Sequence, residues 1–76
     1  MTLALLPLQQ EAVVEHVGLP EAEVEWLRAV GLAEGERLWV VRKAPLRGPL
    51  HIRTSLGGEF AVDRTLAAAV RVKATK

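Results

Sequence analysis

Cysteine is missing from all 76 residues, so neither a disulfide nor a thiolate-held metal can staple the chain. Aromatics are almost as scarce: Trp26, Trp39 and Phe60 are the whole set. Single-strand nucleic-acid binders usually seat successive bases on aromatic side chains, and three scattered rings make a poor platform. No apolar run approaches the roughly 18 residues that mark a transmembrane helix. The N-terminus has no basic stretch leading into an apolar one, so no secretory signal is expected. These absences point to a cytoplasmic protein with no membrane span of its own. Histidine appears twice, at His16 and His51. A non-haem iron centre would need both, together with a carboxylate on the same side of the metal.

What the chain does have is apolar residues, at 50% of the sequence, enough to hold a small core by packing alone. A length of 76 residues indicates one domain spanning 1–76. At that size burial and a chain-entropy cost of about 1.5 kcal/mol per residue nearly cancel. The net charge is only +1, but its halves oppose each other: residues 1–36 carry seven Glu and one Arg, whereas residues 37–76 carry nine Lys or Arg against Glu59 and Asp63. Isolated surface ion pairs contribute about 0–1 kcal/mol, so this asymmetry bears on partners more than on stability.

The centre of the chain is residues 29–53, AVGLAEGERLWVVRKAPLRGPLHIR. Gly31 stands where a helix C-terminus takes a left-handed residue, and Leu32 can fold back onto the last turn. Glu34-Gly35 reverses the chain into a strand over Arg37–Lys43, with Leu38 and Val40 on one face and Trp39, Val41 and Lys43 on the other. Pro45 and Pro49 remove amide donors, so pairing must stop at a hairpin over 44–49. The return strand, 50–55, turns Leu50, Ile52 and Thr54 inward and His51, Arg53 and Ser55 outward.

Upstream, residues 1–10 group Leu3, Leu5, Leu6 and Leu8 around Pro7 as a plug for an open end of the sheet. Glu11–Val17 reads as a first strand, with Ala12 or Val13 starting the inward series. Pro20 opens a helix whose early Glu21, Glu23 and Glu25 suit its dipole and whose Val24, Leu27 and Val30 form the buried stripe. Trp26 lies beside that stripe. Downstream, Phe60 and Val62 face the core, Asp63–Ala68 makes a helical turn, Val70 and Val72 belong to a last strand, and 74–76 frays. Five short strands and one early helix make a mainly β domain, a small and partly open barrel.

A search for chemistry returns little. Glu15 and His16 are consecutive on a strand and so point to opposite faces, and the three helix glutamates diverge by about 200° per step. His51, Arg53 and Ser55 share a face, but strand neighbours two apart lie about 6.5 Å from each other, too far for a nucleophile and its base. No phosphate-cradling glycine loop or nucleophile elbow accompanies them. The residues give no catalytic set, no metal site and no cofactor. Arg42, Lys43, Arg47, Arg53, Arg64, Arg71 and Lys73 could line a basic stripe, which keeps a small-barrel nucleic-acid module as an alternative.

The order Gly31-Leu32-x-x-Gly35, alternating apolar residues, and then Ala44-Pro45-Leu46-x-Gly48-Pro49-Leu50 resembles the FeoA family, ferrous iron transport protein A. The similarity runs on through Phe60–Arg64 and Ala69–Val72 and back to Thr2-Leu3-x-x-Leu6-Pro7. Departures occur at Glu34, where the family usually has Pro, at Gln9, where it usually has Gly, at Asp63, where a basic residue is common, and in a longer turn at Leu56-Gly57-Gly58. The resemblance implies an SH3-like barrel with Leu38 and Val40 inward. It also implies a cytoplasmic accessory of FeoB, the membrane ferrous-iron transporter that carries a G domain, acting by docking and not by catalysis. A related barrel closes metal-dependent repressors of the DtxR type, a second alternative, although no helix-turn-helix is present here.

The expected partner-binding residues follow from exposure: the hairpin Ala44, Pro45, Leu46, Arg47, Gly48 and Pro49, with Trp39, Val41 and Arg53 on the adjoining outer face. Trp39 has two readings, covered by the barrel end or N-terminal segment, or free as an anchor. Trp39 and Val41 together could equally serve a homo-oligomer.

Overall fold

Alternation of apolar residues lays down five strands in the computed structural model, which describes residues 1–75. A 3₁₀ turn at Leu3–Leu5 precedes β1 (Ala12–Val17), α1 (Glu21–Ala29), β2 (Arg37–Lys43), β3 (Leu50–Thr54), β4 (Glu59–Val62), α2 (Arg64–Ala68) and β5 (Val70–Ala74). The strands form one antiparallel sheet in the order β4-β3-β2-β1-β5. It is a mainly β architecture with one main helix, an SH3-like barrel left open between its edge strands β4 and β5.

The N-terminal segment runs from β5 to β2 over the core. Met1 exchanges backbone hydrogen bonds with Val72 on β5, donating at 3.2 Å and accepting at 2.8 Å. Farther along, Leu8 bridges to Val40 on β2 and the Gln9 amide donates to the Val40 carbonyl at 2.8 Å. Between these anchors Leu3 and Leu6 are completely buried, as the expected plug requires. They join Leu27, Leu32, Leu38, Val40, Leu50, Ile52, Val70 and Val72 in a continuous core. Each such side chain contributes about 1.5–3 kcal/mol on leaving water.

The end of α1 is fixed by close approach. Gly31 has φ of 100°, and the Leu32 amide donates to the Leu27 carbonyl at 2.9 Å, which folds Leu32 into the core. A Cβ at Gly31 would come within 2.8 Å of the Thr54 hydroxyl. Thr54 is itself buried, and its hydroxyl has no hydrogen-bond partner among the described residues. The stripe of α1 is shallower than its spacing predicts: Leu27 is buried, Val24 and Val30 are half-buried, and Trp26 lies 63% exposed.

Two register shifts correct the simple alternation. On β1, Val14 pairs with Val72 but His16 pairs with Arg71, so Glu15 and His16 both stand opposite Arg71. A bulge of this kind sets two residues against one. Both side chains are therefore exposed, and Val17 returns to the core in place of His16. On β2, Val40 pairs with Ile52 and Arg42 with His51, so Val41 and Arg42 share the outer side. Lys43 then pairs with the buried Leu50 and leaves the face assigned to it by strict alternation, since directly paired residues project to the same side.

At the C-terminus, Ala74 pairs with Ala12 and the Thr75 amide donates to Glu11 at 2.9 Å, while Gln10 Nε2 donates to the Thr75 carbonyl. The chain is thus tied at 74 and 75, where fraying was expected; Lys76 lies outside the described residues. Phe60 is half-buried against the core rather than within it.

Candidate docking surface

The hairpin between β2 and β3 is held at its base and bare at its tip. Ala44 donates to the Pro49 carbonyl at 3.0 Å, and Gly48 donates to the Pro45 carbonyl at 3.1 Å. Between those bonds Leu46 and Arg47 both take φ of 59°. This is the pair of signs a type I′ turn demands, a turn usually filled by Asn-Gly. For residues with a Cβ the left-handed region costs roughly 1–2 kcal/mol each. Gly48 cannot be larger, because a Cβ there would sit 2.9 Å from Ala44 Cβ and 3.1 Å from the Pro45 carbonyl. From α2, Arg64 Nε donates to the Gly48 carbonyl at 2.9 Å and fixes the base of the hairpin to the barrel.

The result is a rigid prong with Leu46 at its apex, 99% exposed, and Pro45, Arg47 and Pro49 exposed around it. Ala44 and Gly48 are half-buried in its stem. Among the described residues Arg42, Lys43 and Arg47 enter no ion pair, so the prong is surrounded by uncompensated positive charge.

The adjoining outer face is a tied cluster. Arg53 stacks over the Trp39 ring, 5.6 Å from its centroid, and Trp39 is half-buried. Glu59 on the neighbouring strand lies between the two basic side chains: its Oε1 is 3.1 Å from His51 Nε2 and its Oε2 is 3.8 Å from Arg53. Val41 is half-buried beside Trp39, with its carbonyl 3.4 Å from Gln9 Nε2. Trp39, Val41 and Arg53 therefore lie on one surface, and the hairpin rises from the end of the same two strands. Glu59, Arg64 and Gln9 were missed as supports of this surface. The pairing of Arg53 with Glu59 becomes visible only once the register of β3 and β4 is known.

The other candidate constellations do not assemble. Ser55 Oγ donates to Glu36 at 3.1 Å and stands apart from His51, whose contact is Glu59. His16 meets Glu34 at 3.4 Å, at the end of the sheet away from the hairpin. Among the described residues no three His, Asp or Glu side chains converge to hold a metal ion. None of the described helices is long and apolar enough to cross a membrane.

Comparison with known proteins agrees with this architecture. The FeoA protein from Chlorobium tepidum superposes with a TM-score of 0.91 over 100% of this chain and 71% of its own, at 29% identity. FeoA from Stenotrophomonas maltophilia, solved with zinc as a prokaryotic SH3 domain protein and suggested ferrous iron transport activating factor, gives a TM-score of 0.77 and 35% identity over 96% of this chain and 89% of its own. A manganese-dependent transcriptional repressor in complex with manganese reaches 0.85 at 14% identity, covering 99% of this chain and 36% of the repressor, which is a likeness of fold alone. No curated protein matches the sequence. The FeoA domain family itself is matched across residues 1–74, and the chain belongs to that family.

Proposed function

We propose that this chain is a non-catalytic accessory, a single module over residues 1–76, that docks on the cytoplasmic part of a FeoB-type ferrous iron transporter and biases its gating or nucleotide cycle. Membership of a ferrous iron transport family supplies the process. The observation that carries the docking mode is the prong: a fully exposed leucine on a doubly left-handed turn, braced by Arg64. Proteins seldom keep such strain without a use for the shape it creates. A rigid tip also loses little freedom on binding, so its contacts are not offset by ordering. Trp39 and Arg53 extend the surface with the residue types that dominate binding energy at interfaces. No cofactor enters this reading.

The test is affinity for the transporter's purified cytoplasmic portion. Leu46→Asp combined with Arg47→Glu is expected to weaken binding at least ~10-fold, a loss of about 1.4 kcal/mol. The melting midpoint should stay close to that of the parent, since neither side chain touches the core. Unchanged affinity would show that the hairpin is not the dock.

A further inference from the structure

At the end of the sheet opposite the hairpin, an open cavity of about 390 Å³ lies between the first half of α1, the end of β1 and the turn before β2. Four apolar residues, Val17, Leu19, Val24 and Ala33, line it together with four polar ones. The polar ones are Glu21, Glu34, which lies 3.4 Å from His16, His16 itself, and Arg28, which already faces Glu25 at 3.7 Å. This is the chemistry that accepts an apolar knob carrying a positive charge. The hairpin supplies that pairing: Leu46 is the most exposed large apolar side chain, and Arg47, Arg42 and Lys43 beside it have no ion-pair partner among the described residues. We infer that the cavity receives the hairpin of a second copy of this chain, Leu46 packing on its apolar residues and Arg47 meeting Glu21 and Glu34.

Geometry decides what such a contact builds. β2 begins beside the Glu34 turn and ends at the hairpin, and its seven residues place prong and cavity about 20 Å apart. Within one molecule they cannot meet. Between molecules they join head to tail, a heterologous contact that propagates as an open chain and not as a closed dimer. A six-residue prong buries far less than the ~1,200 Å² of a stable interface, so the association is weak and reversible. If the hairpin also docks on the transporter, as proposed above, self-association withholds it; the self-contact does not depend on that reading.

Sedimentation velocity of the full chain from ~10 μM to ~1 mM tests the inference. The expected result is a sedimentation coefficient that climbs with concentration without a plateau at dimer, and that falls back in 1 M salt, where screening shortens to about 3 Å. The prong variant, Leu46→Asp with Arg47→Glu, and the cavity variant, Glu21→Gln with Glu34→Gln, should each remain monomeric alone. Mixed together they keep one intact cavity and one intact prong that belong to different molecules, yet the cavity variant's prong meets a normal cavity only on the prong variant. The mixture should therefore stop at a 1:1 heterodimer. A monomer at every concentration, or a dimer that both variants preserve, overturns the inference. Transporter binding separates the two proposals: the cavity variant should bind as the parent does, even where self-association is lost.

Discussion

The two ends of this barrel are built by different physics. At the helix end, Gly31, Leu32, Leu27 and Thr54 meet in full burial, and the backbone adopts a left-handed residue where glycine makes it free of strain. At the hairpin end, two residues with side chains take the same left-handed region and bury nothing at the tip. One end is fixed by packing and the other by turn closure plus a single arginine brace. The comparison teaches that stability and recognition are held in separate places, so each can be changed alone.

The largest effect should come from the packed end. Gly31→Ala forces a Cβ against the Thr54 hydroxyl at a positive φ. The backbone term is about 1–2 kcal/mol and overpacking adds about 1–3. Each kcal/mol lowers the midpoint of a domain this size by roughly 4–8 °C, so thermal melting should show a drop of 10 °C or more, as an order-of-magnitude expectation. A drop of only a few degrees would mean that this end is softer than its burial indicates.

The hairpin should respond in the opposite direction. Leu46→Asn with Arg47→Gly installs the residues a type I′ turn prefers and relieves strain at both positions. Melting should rise by the equivalent of about 1–2 kcal/mol. If the midpoint falls, the tip is not strained and the contrast between the ends collapses.

A smaller gain is expected from Thr54→Val. It keeps the shape and removes a buried hydroxyl that has no partner, so denaturant unfolding should show no loss and up to about 1 kcal/mol of added stability. Smallest of all is Arg53→Ala, which removes the stack on Trp39 and the contact with Glu59 at a site where both partners are partly solvated. A loss of about 0.5–1 kcal/mol is the expectation, read by the same unfolding curve.

Much of the fold was legible because alternation and helix-stop chemistry are local. Leu50, Ile52, Val70 and Val72 turned inward as their spacing indicates, Leu38 and Val40 did so as the family resemblance implies, and Gly31 took its positive φ where the helix stops. Legibility failed where one residue was inserted against a partner strand. Nothing in Val-Glu-His or Val-Val-Arg marks the bulges that expose Glu15 with His16 and move Lys43 off the outer face. It failed again at the turns, since leucine and arginine ordinarily avoid φ of 59°. Gln9 is instructive: it takes φ of 63°, a conformation glycine adopts freely, at the position where the resemblance leads one to expect glycine. The departure at Asp63 has a local reason as well, because its carboxylate caps α2 by accepting from the Leu66 amide at 2.7 Å.

Docking by the hairpin is tested most directly by titrating the Leu46→Asn, Arg47→Gly protein into the transporter's purified cytoplasmic portion. This variant keeps the turn and strengthens the fold while removing the knob and its charge. The account predicts a higher melting midpoint together with affinity at least ~10-fold weaker than the parent. A stabilised protein that still binds with the parent's affinity would contradict it.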